Sequence, residues 1–219
     1  MKKIIIAAFS LLALYTTGCK KEDNVSKVVK VSYPTLNIPG GIYYSINTNG
    51  SLPTISGSAY DSILKESYPL KIEGAEDIDN QTPGLYIVQA TAANKYGYKS
   101  FQNVYVAVTD IPSSYDLSGA YKRAATGGIA NVQEVANGLY VTDNVGGVVA
   151  ATNPDLIFPV LFVHIADTVI DLPAQVTPVG TIEAVEEKLK YSPDTMYQYR
   201  LNRGGTAFGT TATRVFVKQ

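Results

Sequence analysis

Pro83-Gly84-Leu85-Tyr86-Ile87-Val88-Gln89-Ala90-Thr91-Ala92, then Asn94-Lys95-Tyr96-Gly97-Tyr98, then Val104-Tyr105-Val106-Ala107-Val108 is the stretch that settles the fold class. Side chains along a strand alternate between two faces, so Tyr86, Val88, Ala90 and Ala92 share one side and Val104, Val106 and Val108 form a matching row. Gly97 supplies the backbone freedom needed to reverse the chain between the two rows. The stretch reads as a long antiparallel hairpin with a buried face.

Working outward, the same period of two recurs. Val29, Val31 and Tyr33 alternate with Lys30 and Ser32, and Tyr68, Leu70 and Ile72 alternate with Lys71 and Glu73. Further strands are expected over Gly138–Thr142, Leu156–Ala166, Thr168–Leu172, Met196–Asn202 and Thr213–Lys218. Leu161, Val163 and Ile165 point one way and Val160, Phe162 and His164 the other, which predicts a central strand covered on both faces. Glu183–Tyr191 carries i,i+4 charge pairs compatible with a short helix, but its surroundings favour a strand. The chain is therefore expected to be all-β.

At the front, Met1-Lys2-Lys3 precedes the apolar run Ile4–Leu14 and then Thr16-Thr17-Gly18-Cys19. That run has 11 residues, whereas a spanning helix needs about 20, so residues 1–18 read as a signal peptide. Cys19 is the only cysteine of the chain, which excludes an internal disulfide; with a single His it also excludes the usual zinc ligand sets. Residues 19–27 form a polar tether. Pro112 and Ser113-Ser114 break the sheet pattern, so the expected division is a first β-domain over 28–110 and a second over 111–219.

Four resemblances extend this reading. Thr17-Gly18-Cys19 resembles the lipobox of bacterial lipoproteins, which implies a lipidated Cys19 as the mature N-terminus. Lys20-Lys21-Glu22-Asp23 resembles the export signal of Bacteroidetes surface lipoproteins, which implies an outer-membrane address facing the cell exterior. The P-G-x-Y-x-V-x-A hairpin resembles the last hairpin of bacterial immunoglobulin-like domains, implying an N-terminal Ig-like β-sandwich. The second domain is then an antiparallel meander, barrel-like or a second sandwich. Asp116-Leu117-Ser118-Gly119 with Tyr121-Lys122-Arg123, and Gly205-Thr206-Ala207-Phe208-Gly209 with Arg214–Gln219, resemble an uncharacterised two-domain Bacteroidetes surface lipoprotein family found near glycan-uptake systems.

Charge and composition narrow the chemistry. Eighteen basic and 19 acidic residues give a formal charge of −1 and no broad basic surface for nucleic acid. His164 is the single imidazole; its strand neighbours suggest packing, and there is no G-x-S-x-G elbow. No catalytic residue and no cofactor is assigned. Asp77, Asp79 and Asn80 could offer oxygens to calcium, against the plainer reading of a loop built on Asx turns. Gly127-Gly128, Gly146-Gly147 and Gly204–Gly209 lack the Lys-Ser/Thr of a phosphate loop and read as turns.

With 16 Tyr and no Trp, any sugar-stacking surface must use tyrosine, whose ring is apolar and whose hydroxyl stays hydrated. Tyr43-Tyr44, Tyr96 with Tyr98, and above all Tyr197 with Tyr199 beside Arg200 are the ligand-binding candidates; cross-strand packing is the competing use. Asp61-Ser62-Ile63, Asp167-Thr168-Val169 and Asp194-Thr195-Met196 resemble Bacteroidetes O-glycosylation sites, which implies modification at Ser62 and Thr195; Thr168 is expected to be buried and therefore not modified. Together these readings describe a non-catalytic surface lipoprotein that assists polysaccharide uptake by binding glycan. The alternatives are a structural or assembly partner in an outer-membrane complex, and a glycoside hydrolase using two carboxylates.

Overall fold

The computed structural model describes residues 31–191 and 195–219, and Ser32–Gln219 packs as one compact unit. The signal peptide, the lipobox with Cys19, the whole of the 19–27 tether and Asp194 lie outside the described residues. Among the described residues, every regular element longer than a 3-10 turn is a strand.

The N-terminal portion of the unit holds seven strands: β1 (Thr35–Asn37), β2 (Tyr43–Ile46), β3 (Ser58–Asp61), β4 (Glu66–Pro69), β5 (Lys71–Glu73), β6 (Gly84–Ala93) and β7 (Lys99–Val108). They form a three-stranded sheet, β1-β3-β4, and a four-stranded sheet, β2-β7-β6-β5. The β6–β7 hairpin pairs from Gly84↔Val108 to Ala93↔Lys99 without a slip, while β2 joins β7 in parallel. Gly97 turns the hairpin at φ 84°, and Asn94 Oδ1 accepts the amides of Tyr96 and Tyr98. Val88, Ala90, Val104, Val106 and Val108 pack with Leu36, Ile38, Ile55 and Leu70 between the sheets. The alternation predicted that face. Burying one Val side chain there contributes roughly 1.5–3 kcal/mol.

The rest of the unit is built from β8 (Gly119–Arg123), β9 (Ile129–Ala136), β10 (Leu139–Thr142), β11 (Val160–Ala166), β12 (Val169–Asp171), β13 (Gln175–Thr177), β14 (Gly180–Lys190), β15 (Met196–Arg203) and β16 (Arg214–Lys218). These nine strands form one sheet in the order β12-β11-β10-β9-β8-β16-β15-β14-β13. The sheet curls until its β12 end reaches β14, where Ala184 N–H donates to Leu172 O and Leu189 N–H to Thr168 O. Its interior is aromatic: Tyr121, Tyr140, Phe158, Phe162, Tyr197, Tyr199 and Phe216 are buried together. Glu183–Tyr191 is strand as far as Lys190, with a bulge where Glu186 takes φ 60°. The strands β8, β9 and β13 escaped the pattern reading, as did β1, β2 and β3 in the N-terminal portion, while the row expected from Val29, Val31 and Tyr33 is not a strand over 31–33, its described part.

β11 carries the predicted double burial. Val160 and Phe162 enter the aromatic interior, whereas Leu161 and Val163 leave the other face and pack with Leu139, Leu85 and Ala107. Leu85 and Ala107 are the outward row of the β6–β7 hairpin, so this small cluster joins the curled sheet to the four-stranded one. The segment between β7 and β8 contains no strand, as Pro112 and the two serines predict, but it is not a loose linker. Thr109 and Leu117 are fully buried, and the Thr109 hydroxyl donates to His164 O.

Candidate functional site

Beyond the contact made by Leu85 and Ala107, the same outward row continues as Ile87 and Gln89 on β6 and Tyr105 and Asn103 on β7. Tyr43 stands opposite Tyr105 in the parallel β2–β7 pair. The curled sheet does not cover this end of the row. Pro159, Leu161, Ala174, Gln175, Val176 and Thr177 rise on the far side, leaving an open cleft of about 540 Å³.

Its floor is a pair of stacked rings: the Tyr43 and Tyr105 centroids are 5.7 Å apart at an interplanar angle of 23°. Burial, with a smaller contribution from Tyr105, raises the Tyr43 phenol above its ordinary pKa, so it remains a neutral donor at physiological pH. Around the rings stand amides. Gln89 Nε2 donates to Asn103 Oδ1 at 3.3 Å and Gln102 Nε2 to Asn103 O at 3.2 Å. Gln175 is fixed differently: its Oε1 accepts Leu161 N–H at 2.9 Å and its Nε2 donates to Leu161 O at 2.6 Å, as a neighbouring strand would. No lining side chain carries a formal charge. A cleft of aromatic faces and amides without charge suits a neutral, polyhydroxylated ligand, whose C–H faces pack on rings and whose hydroxyls exchange with amides.

Tyr43 was among the tyrosines singled out from sequence; Tyr105 was missed because it sits between valines that dominate the reading of β7. Tyr197 and Tyr199 require a correction. Each is 1% exposed, and Tyr197 lies with ring centroids 4.8 Å from both Tyr121 and Phe216. Tyr199 donates its hydroxyl to Val145 O at 2.7 Å. Both are core residues because the alternation that makes β15 a strand turns them inward with Leu201. Arg200 faces outward, where it pairs with Glu186 at 2.9 Å. The structure therefore separates the three expected ligand residues onto opposite faces.

The remaining candidates also find places. His164 is fully buried, and burial lowers its pKa from the ordinary 6.5. Its Nε2 lies 3.2 Å from the Tyr191 hydroxyl. Asp79 uses its carboxylate to accept Gln81 N–H and the Thr82 hydroxyl, which is the Asx-turn arrangement. Among the described residues no three His, Cys, Asp or Glu side chains stand together as a metal set. Asp171 and Glu187 both have carboxyls raised by burial, and the Asp171 charge adds to the rise at Glu187. Neither lines the tyrosine cleft. Ser62 is exposed and Thr195 half-buried; Thr168, expected to be buried, is exposed at the β11–β12 turn.

No protein-family model matches the chain, and no curated protein matches it. Among solved structures, the crystal structure of a lipoprotein from Bacteroides thetaiotaomicron is similar at a TM-score of 0.37 and 18% identity, over 85% of this chain and 100% of that one.

Proposed function

We propose that this chain is a non-catalytic lipoprotein of the outer membrane, anchored through Cys19 and facing the cell exterior, that binds neutral glycan in the Tyr43–Tyr105 cleft as an accessory to polysaccharide uptake. The anchor rests on the short apolar run ending in the single cysteine. The ligand rests on one observation: two stacked tyrosines ringed by amides, with no charge among the lining residues. The two-domain reading gives this cleft a place, since its floor comes from the 28–110 segment and its far wall from the 111–219 segment.

A glycan array probed with the purified lipoprotein tests the reading. Binding to one or more neutral polysaccharides is expected, and Tyr43→Ala with Tyr105→Ala should weaken it by about 10-fold or more, the scale of a lost aromatic contact and its buried area. Tyr197→Phe should leave binding unchanged. Failure of every glycan to bind, or equal binding by the double variant, would remove glycan recognition from the account.

The assembly reading retains one supporting feature. Val176 is 88% exposed on β13, at the end of the nine-stranded order and on the rim of the same cleft. An exposed apolar residue on an edge strand is a feature that partner chains cover. Co-purification of a membrane protein without added sugar, lost in Val176→Lys, would favour that role.

A further inference from the structure

Arg123 and Arg214 are 4% and 0% exposed, and neither has a carboxylate partner among the described residues. Phe216 pairs with Arg123 across β8 and β16, and Arg214 lies two residues before Phe216, so both guanidinium groups enter the same interior face on a diagonal. Arg123 Nη1 donates to Gly146 O at 2.8 Å. Arg214 donates to Ala212 O at 3.1 Å and Thr210 O at 2.7 Å. Nε of both arginines is buried without a partner. Burial lowers both pKa values, and the charge of Arg123 lowers Arg214 further. Two like charges held close in a dry interior are costly unless an anion joins them.

The surroundings provide room for one. Arg123 lines a second cleft, of about 370 Å³, between the loop after β10 and the loop before β16. Phe208 forms one side of its wall and sits on Gly146, where an added Cβ would come 2.2 Å from the ring. The Arg214 guanidinium lies 5.5 Å from the centroid of that ring. Thr126, Thr152, Asn153 and Thr210 bring hydroxyls and an amide, Val148 and Leu156 apolar surface, and no acidic side chain lines the space.

We propose that this cleft is a binding site for a small organic carboxylate, of the size of a hydroxy acid or a single sugar acid, held by Arg123 with Arg214 behind it. A guanidinium presents donors in the planar fork that fits a carboxylate, and the mixed lining suits a hydroxylated carbon body rather than a bare inorganic ion. The site is distinct from the tyrosine cleft and does not depend on it.

The test is calorimetric titration and thermal unfolding of the full-length protein with acetate, lactate and glucuronate, using glucose and sulfate as comparisons. At least one carboxylate is expected to bind and to raise the melting temperature as its concentration passes Kd, with glucose inert. Thr152→Trp, at an exposed position on the cleft wall, should fill the cleft and weaken that binding by about 10-fold or more while leaving the unliganded melting temperature unchanged. Arg123→Met should abolish binding, since it removes the guanidinium while keeping the apolar stem of the side chain. Binding unaffected by Thr152→Trp, a response to sulfate alone, or no response to any of the three carboxylates would overturn the proposal.

Discussion

Asp61 shows how one buried carboxylate organises a strand end. It is fully buried, yet it accepts from the Ser32 hydroxyl at 2.7 Å, Asn94 Nδ2 at 3.0 Å and the amides of Ile63 and Leu64 at 3.0 Å each. Burial pushes its pKa up, but the donors from Asn94, Leu64, Ser32 and Ile63 outweigh it and hold the carboxyl at about 2. Because the folded value is depressed, the stabilisation is present above the unfolded value of 3.8 and is lost as pH falls towards 2. Urea midpoints for wild type and Asp61→Asn should therefore differ at pH 7 and converge between about pH 4 and pH 2; a constant difference through that range would contradict the assignment. The sequence identified Asp61 only as the first residue of a modification motif. Its two side-chain partners, Ser32 and Asn94, come from positions 29 and 33 residues away, a separation that no local pattern encodes.

Elements were more legible than their faces. The β6–β7 hairpin and the doubly covered β11 follow from apolar alternation, because burial on a given face leaves a period of two in the sequence. The same rule contained the answer for β15: Tyr197, Tyr199 and Leu201 fall on one row and Gln198 and Arg200 on the other. Reading the row as a binding platform ignored that a strand with one polar row turns the other inward. Arg214 was hidden because β16 has apolar residues on both rows, Phe216 on one and Val215 and Val217 on the other, so nothing marked the arginine as interior. The glycine pairs were read as simple turns, yet Gly128 lies against the opposite loop. A Cβ there would come 2.4 Å from the carbonyl oxygens of both Gly147 and Val148. Gly128→Ala must push the facing backbones apart and should cost about 2 kcal/mol or more, lowering the melting temperature by several degrees. By contrast Gly41→Asn, at φ 78° with open space around it, should change the melting temperature little.

Across the whole unit, the cluster of Leu85, Ala107, Leu139, Leu161 and Val163 fastens the four-stranded sheet to the curled one, and Thr109 is tied to His164 at the crossing. Composition and turn signals indicated all-β architecture and a break near Pro112, but not this junction, since long-range packing between two strand systems has no periodic signature. Unfolding of the Ser32–Gln219 unit should be a single calorimetric transition. Leu139→Ala, which removes a fully buried side chain from the shared cluster, should lower its midpoint by an amount corresponding to about 2–5 kcal/mol. Two resolved transitions in the wild-type protein would show that the junction does not couple the sheets. The junction also leaves uncovered the tyrosine row on which the glycan-binding reading depends. That reading is tested most directly by crystallising the protein with the oligosaccharide that binds best on the array. A sugar ring is expected on Tyr43 and Tyr105 with its hydroxyls bonded to Gln89, Gln102 or Asn103; sugar density elsewhere on the molecule, with these rings bare, would contradict glycan recognition in this cleft.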